Sequence, residues 1–176
     1  MVYCTRSLAR TSRKFAWLVA GVVALVLALP PPIARAAEDG FRVYTKMGKF
    51  ADVDENLRDA IAKRGFVIDY VGELNKMLAR TAADTGTVTS SGKLTPFKNA
   101  HFVQFCPSKL THEAVNTNPY GIANCPIAIF IYELEHEAGK VHLGYRMPVS
   151  SPSKKSTEIN NKLKAVLADI AKEATK

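Results

Sequence analysis

The sequence predicts a two-layer α+β domain, a mixed or antiparallel sheet of about five strands with helices packed on one face, in the order β-α-β-α-β-α-β-β-α. Three observations carry this expectation. Period-two and helical hydrophobic patterns alternate along residues 41–149, the two strongest strand patterns mirror each other across a short turn, and a long amphipathic helix closes the chain.

In residues 41–47, Phe41, Val43, Thr45 and Met47 alternate with Arg42, Tyr44 and Lys46, the period of a half-buried strand. Asp52 and Glu55 have capping-box spacing, Val53, Leu57, Ala60 and Ile61 share one helical face, and Gly65 supplies the stop. Residues 66–71 are short and β-rich, and residues 73–83 set Leu74, Met77, Leu78 and Thr81 at helical spacing. The Gly/Ser/Thr stretch 84–96 reads as a mobile loop, in which Thr87, Val88 and Thr89 could form a brief hairpin arm.

Residues 100–105 form the next strand and run into Cys106-Pro107-Ser108. Proline is favoured at a first helical position, which puts Cys106 at the cap of a helix reaching about Asn116. Asn118-Pro119-Tyr120-Gly121 is turn chemistry. Residues 126–135 are the strongest strand, and residues 141–147 mirror it across Glu137-Ala138-Gly139-Lys140 as a hairpin. Residues 156–174 place Ile159, Leu163, Val166, Leu167 and Ile170 on one side of a helix that should pack on the body.

Residues 1–36 have the form of an export signal. Arg6, Arg10, Arg13 and Lys14 precede a fourteen-residue apolar run, and Ala34-Arg35-Ala36 offers a cleavage site. A bilayer-spanning helix needs about 20 apolar residues, so stable membrane insertion is not expected after cleavage near Ala36, and a periplasmic or secreted location is. The organisation expected is therefore 1–36 signal, 37–153 one α+β domain, and 154–176 a C-terminal amphipathic helix.

Charge follows the same division. The chain carries 24 basic and 16 acidic residues, but five of the bases and none of the acids lie in 1–36, which leaves 19 against 16. Residues 154–176 hold six lysines against three acids, so residues 37–153 are formally neutral. No basic stripe lies on the body, and nucleic acid is not an expected partner.

Three residue groups carry candidate chemistry. Cys4 falls in the export segment, leaving Cys106 and Cys125, two Cys-Pro steps bracketing eighteen residues. Two thiols in an oxidising compartment favour one structural disulfide; two free thiols, or a redox pair using Cys106 at a helix N-terminus, stay open. His101 and His112 are the candidates for a haem or metal site shared with sulfur, although no C-x-x-C-H is present. With a four-residue loop at 137–140, Glu135 would face His142 and His136 would face Val141, an ordinary cross-strand arrangement. Asp52, Asp54, Glu55 and Asp59 fit the first turns of a helix, complementing its dipole, better than a pair of catalytic carboxylates. No G-x-S-x-G, P-loop or H-E-x-x-H is present. The strand 126–135 is apolar on both sides, Ala128, Phe130, Tyr132 and Leu134 against Ile127, Ile129 and Ile131. Either a helix or loop covers the isoleucines, or they form the seam of a homodimer.

The segments Phe50-Ala51-Asp52-Val53-Asp54-Glu55-Asn56-Leu57-Arg58-Asp59-Ala60-Ile61, Gly65-Phe66-Val67, residues 102–107, and Cys125-Pro126 through Val141 to Pro148 resemble the bacterial family called "domain of unknown function 302". The resemblance covers about 41–149, with the loop after Asp84 and the C-terminal helix as additions to it. It implies a small α+β domain, often dimeric, with no established reaction and no catalytic residues to carry over. The expected function is an exported, non-catalytic binding or accessory module with unknown cofactor. The alternatives are a thiol-disulfide redox protein using Cys106 and Cys125, and a haem or metal carrier using His101 or His112.

Overall fold

The computed structural model describes residues 40–86, 95–149 and 151–176; the export segment and the arm expected at 87–89 lie outside the described residues. Strands β1 (Phe41–Met47), β2 (Ile68–Glu73), β3 (Phe97–Phe105), β4 (Ile127–Leu134) and β5 (Lys140–Arg146) form one antiparallel sheet, ordered β1-β5-β4-β3-β2. Helices α1 (Phe50–Ala62), α2 (Leu74–Thr85), α3 (Ser108–Thr117) and α4 (Lys154–Ala174) and a 3-10 helix at Pro119–Asn124 complete the expected order.

The central strand decides where the core lies. Ile127, Ile129 and Ile131 point to the helical layer, where they meet Val103 and Phe105 of β3, Val141, Leu143 and Tyr145 of β5, Val53, Leu57 and Ile61 of α1, and Leu163, Leu167 and Ile170 of α4. Ile129 and Ile131 are fully buried, so the expected isoleucine seam is ruled out: helices α1 and α4 already cover that side. Each such side chain contributes about 1.5–3 kcal/mol by leaving water.

β1 also turns opposite to the simplest reading of its alternation. Tyr44 packs against the core, whereas Phe41, Val43 and Met47 are exposed. Pairing with β5 forces this, because Tyr44 is opposite buried Leu143 and Val43 is opposite Gly144.

The helix ends follow local chemistry with one departure. α1 begins at Phe50, its Lys49 cap has no side-chain bond, and Asp52 lies inside the first turn, so the capping box expected from Asp52 and Glu55 does not form. At the other end Gly65 takes φ +73, its N–H donates to Ala62 O, and Phe66 N–H returns to Ile61 O, the left-handed stop that glycine permits. Ser153 caps α4 by accepting from Ser156 N–H at 3.1 Å. Arg64 joins the two core helices, donating to Ala60 O and to Glu173 of α4 at 2.7 Å each.

The β4–β5 hairpin has a different register from the expected one. Tyr132, not Glu135, is opposite His142, and Glu133 is opposite Val141. A buried carboxylate anchors the turn: Glu133, 4% exposed, accepts from Gly139 N–H at 2.7 Å, from Asn99 at 2.9 Å and from Lys98 at 3.2 Å. Gly139 supplies the φ of +80 that aims its N–H there.

Gly144 and Glu133 yield two predictions. A Cβ on Gly144 would lie 2.5 Å from Arg42 O and from the Phe130 ring, so Gly144→Ala should cost about 1–3 kcal/mol in chemical denaturation. The Gly139 N–H, joined by Asn99 and Lys98, holds the Glu133 carboxyl below its ordinary 4.5 against the upward push of burial. A folded pKa below the unfolded one stabilises above the unfolded value and is lost as pH falls through the folded value. Denaturation midpoints should therefore drop below about pH 4.5, and Glu133→Gln should flatten that acid limb while lowering stability at pH 7. An acid limb unchanged by Glu133→Gln would count against this assignment.

Candidate functional site

The strand ladder brings the two cysteines together. β3 and β4 pair in the register Phe105 to Ile127, and Cys106 and Cys125 lie one and two residues beyond that rung. Their Cα atoms are 5.9 Å apart and the sulfurs are bonded, inside the ordinary disulfide range of about 4.4–6.8 Å. The bond closes the segment containing α3 and the 3-10 helix, whose Asn118 side chain accepts from Tyr120 N–H at 3.0 Å. Pro107 is the cap residue of α3, so Cys106 sits one residue outside the cap, with its Sγ 3.1 Å from Thr111 Oγ1.

The histidines do not converge on sulfur. His101 lies on the helical side of β3, its Nδ1 3.4 Å from Asp54 Oδ2 and its ring edge-on to Phe50 at 5.0 Å. Arg58 engages that same Asp54 oxygen at 2.7 Å. His112 is exposed on α3. Among the described residues no three His, Cys, Asp or Glu side chains are grouped to hold a metal ion, and both sulfurs are taken up in the disulfide. The haem or metal assembly expected from His101 or His112 with sulfur is thus not formed.

The shifted hairpin builds an arrangement that the expected register concealed. His142 Nε2–H donates to Glu137 Oε2 at 2.9 Å, which leaves Nδ1 to accept from Thr45 Oγ1–H at 3.4 Å. The His142 contact, then Lys140, holds the Glu137 carboxyl below the usual carboxylate range. Hydroxyl, imidazole and carboxylate stand in the order of a nucleophile triad, but 3.4 Å is long for an O–H···N bond. His142 also stacks on Tyr132, 4.7 Å between centroids and 12° from parallel. The group therefore braces β1, β4 and β5.

The sheet face opposite the helices is aromatic. Its central row runs Val43, Gly144, Phe130, Phe102, Gly72 across all five strands. The Phe130 ring lies over Gly144 and the Phe102 ring over Gly72, where an added Cβ would meet them at 2.5 Å and 2.1 Å. The glycines let the rings lie down. Phe41 packs on Phe130, Phe130 on Tyr132, Tyr132 on Phe97, and Tyr70 on Phe102. Arg146 lies over Phe41, 5.8 Å from its centroid. At one end Phe41, Ala128, Phe130, Arg146 and Pro148 line a groove of about 470 Å³. Phe41 is 43% and Tyr70 54% exposed, so no helix covers this side fully. The sequence signal for it was the second apolar set of β4, Ala128, Phe130 and Tyr132, read beside Phe41 and Val43.

Comparison with known proteins agrees with the architecture. A family model described as "Domain of unknown function DUF302" matches residues 41–174. The match runs through α4, so that helix is not an addition to the family's domain. A crystal structure of an uncharacterized conserved DUF302 protein from Bacillus stearothermophilus superposes with a TM-score of 0.60 over 77% of this chain and 98% of that one, at 15% identity, a likeness of fold. No curated protein matches the chain.

Removing the disulfide releases a loop of about 20 residues, worth roughly 3 kcal/mol of unfolded-state entropy. The Cys106→Ser/Cys125→Ser variant should unfold at correspondingly lower urea concentration, and oxidised protein treated with a dithiol reductant should reach the same midpoint. Equal midpoints with and without the bond would show that the loop is held by packing alone.

Proposed function

The chain belongs to the DUF302 family, a domain of unknown function, and from that premise we propose that it is a non-catalytic binding module that works as a homodimer in an oxidising compartment. The aromatic face of the sheet carries this reading. Exposed Phe41, Val43 and Tyr70 flank half-buried Phe102, Phe130 and Tyr132 on neighbouring strands, and exposed apolar surface of this kind marks interaction sites. The occupant is a second copy of the chain. Two sheets pack face to face about 10 Å apart when their facing side chains are apolar and the surface is even, and the rings laid over Gly72 and Gly144 make it even. The central rows of the face bear one full charge, Arg146, which is set over Phe41. A two-fold axis through a nearly neutral face brings no array of like charges together.

The Cys106–Cys125 bond supports an exported location, since disulfides persist in oxidising compartments. Among the described residues the cysteines are bonded, and the Glu137–His142–Thr45 group ends in a long contact at Thr45. These features favour binding over thiol exchange or hydrolysis.

Sedimentation of the mature chain should give a dimer, and Val43→Glu, a substitution at an exposed edge position, should give a folded monomer with an unchanged circular dichroism spectrum. A wild-type monomer at micromolar concentration, or a Val43→Glu dimer of undiminished affinity, would refute the seam.

A further inference from the structure

We propose that the groove at the disulfide end of the aromatic face binds a small organic anion, an apolar body ending in an oxyanion. The proposal rests on the binding-module reading of that face, but it does not need the dimer seam. The groove exists because two strands part. The β4–β5 ladder has its last rung at Ile129 and Tyr145, whereas β3 follows β4 to Ile127 and β1 follows β5 to Arg146. Continued three rungs further, the β4–β5 register would set Pro126 opposite Pro148, and proline has no N–H to give to a ladder. The opening lined by Ala128 and Arg146 has a volume of about 470 Å³, within the roughly 300–1,000 Å³ of small-molecule sites.

Arg146 is the group that calls for a ligand. It is exposed, it lines the groove, and it stands over Phe41, its neighbour across the β1–β5 pair, 5.8 Å from the ring centroid. That contact engages the charge of the guanidinium and not its N–H donors. Among the described residues no carboxylate or other acceptor takes those donors. The other polar side chain of the lining is already used: Asn124 accepts from Val149 N–H at 3.0 Å and donates to Val149 O at 2.8 Å. The rest is apolar, with Phe41, Ala128, Phe130, Met147 and Pro148 among it.

This lining selects the ligand class. A planar fork of N–H groups matches two oxygens carried on one atom, the geometry that carboxylate and phosphate share, and it accepts nothing from a donor head. Among the described residues no acidic side chain lines the groove, so a cationic ligand would meet Arg146 uncompensated. A sugar or an extended peptide needs several hydrogen bonds to replace those it gives up to water. With Asn124 spent, and with no N–H on Pro126 or Pro148, the side chains here supply such bonds from Arg146 alone. An apolar body with one oxyanion uses what remains. A second copy of the chain does not, because the central rows of its aromatic face carry no acid to offer the fork.

The test titrates sodium decanoate, decanol and decyltrimethylammonium, each below its micellar concentration, into the isotopically labelled mature chain and follows the Ala128 methyl and Arg146 Nε–H resonances by NMR. Decanoate should shift both saturably and bind about tenfold or more tighter than decanol, with decyltrimethylammonium weaker still. Affinity should rise about tenfold for each two methylenes between hexanoate and decanoate. Decyl phosphate should compete with decanoate, and the tighter of the two assigns the head to phosphate or carboxylate. Arg146→Gln, at an exposed position, should weaken decanoate by about tenfold or more and leave decanol unchanged. Equal binding of decanoate and decanol, or decanoate binding untouched by Arg146→Gln, would overturn the oxyanion class. Absence of a saturable shift at Ala128 would overturn the site, and capture by vesicles of anionic phospholipid without binding of monomeric decanoate would give the groove to a membrane surface instead. Val43→Glu, outside the groove lining, separates this proposal from the seam. A Val43→Glu chain that binds decanoate like the wild type keeps the groove whether or not the seam forms, and binding by that variant alone would give the groove to the second copy and overturn the proposal.

Discussion

The pairing of β4 with β3 on one side and β5 on the other is the constraint from which the other features follow. A strand sends successive side chains to opposite faces, so one register assigns every residue of β4 at once. With Ile129 opposite Val103 and Tyr145, the isoleucines go to α1 and α4 and the aromatic residues go to the other side. The same ladder brings Cys106 and Cys125 into bonding range at its end and seats Glu133 where the turn can close on it. A slip by one residue would expose the isoleucines, bury Phe130 and Tyr132 under the helices and separate the sulfurs.

The two layers have different characters for physical reasons. On the helical side, buried aliphatic residues from five elements fill one core, and the Glu133 carboxylate admitted there is held by three donors. Asp54 Oδ1, His101 Nδ1 and Asn160 Nδ2 are buried without a hydrogen-bond partner among the described residues. On the other side aromatic rings rest on Gly72 and Gly144 and supply the apolar area. The domain thus presents an aromatic sheet face on one side and a closed aliphatic core on the other.

Element order was legible because each element carries its own period. The hairpin and the C-terminal helix needed only local pattern and spacing, whereas the bond between Cys106 and Cys125 depends on the β3–β4 register. The hairpin register was not legible, since it depends on a bond from Gly139 N–H to Glu133, made between residues whose spacing alone suggests a shorter loop. Nor was the coverage of β4, because both of its faces are apolar and period two cannot say which of them the helices take. The burial of Asn160 went unread as well, although it falls three residues before Leu163 and seven before Leu167, on the buried stripe of α4.

By itself the sequence determined the kinds of elements, their order and the presence of a hairpin, all of which depend on neighbours along the chain. Tertiary structure alone decided which side of the sheet is core, that His142 meets Glu137 and Tyr132, that His101 turns to Asp54 and away from sulfur, and that Arg146 lines a groove. The reason is physical. Periodicity records that side chains alternate or cluster, whereas their partners are set by which surfaces can exclude water together, and that choice is made only when all the layers are assembled.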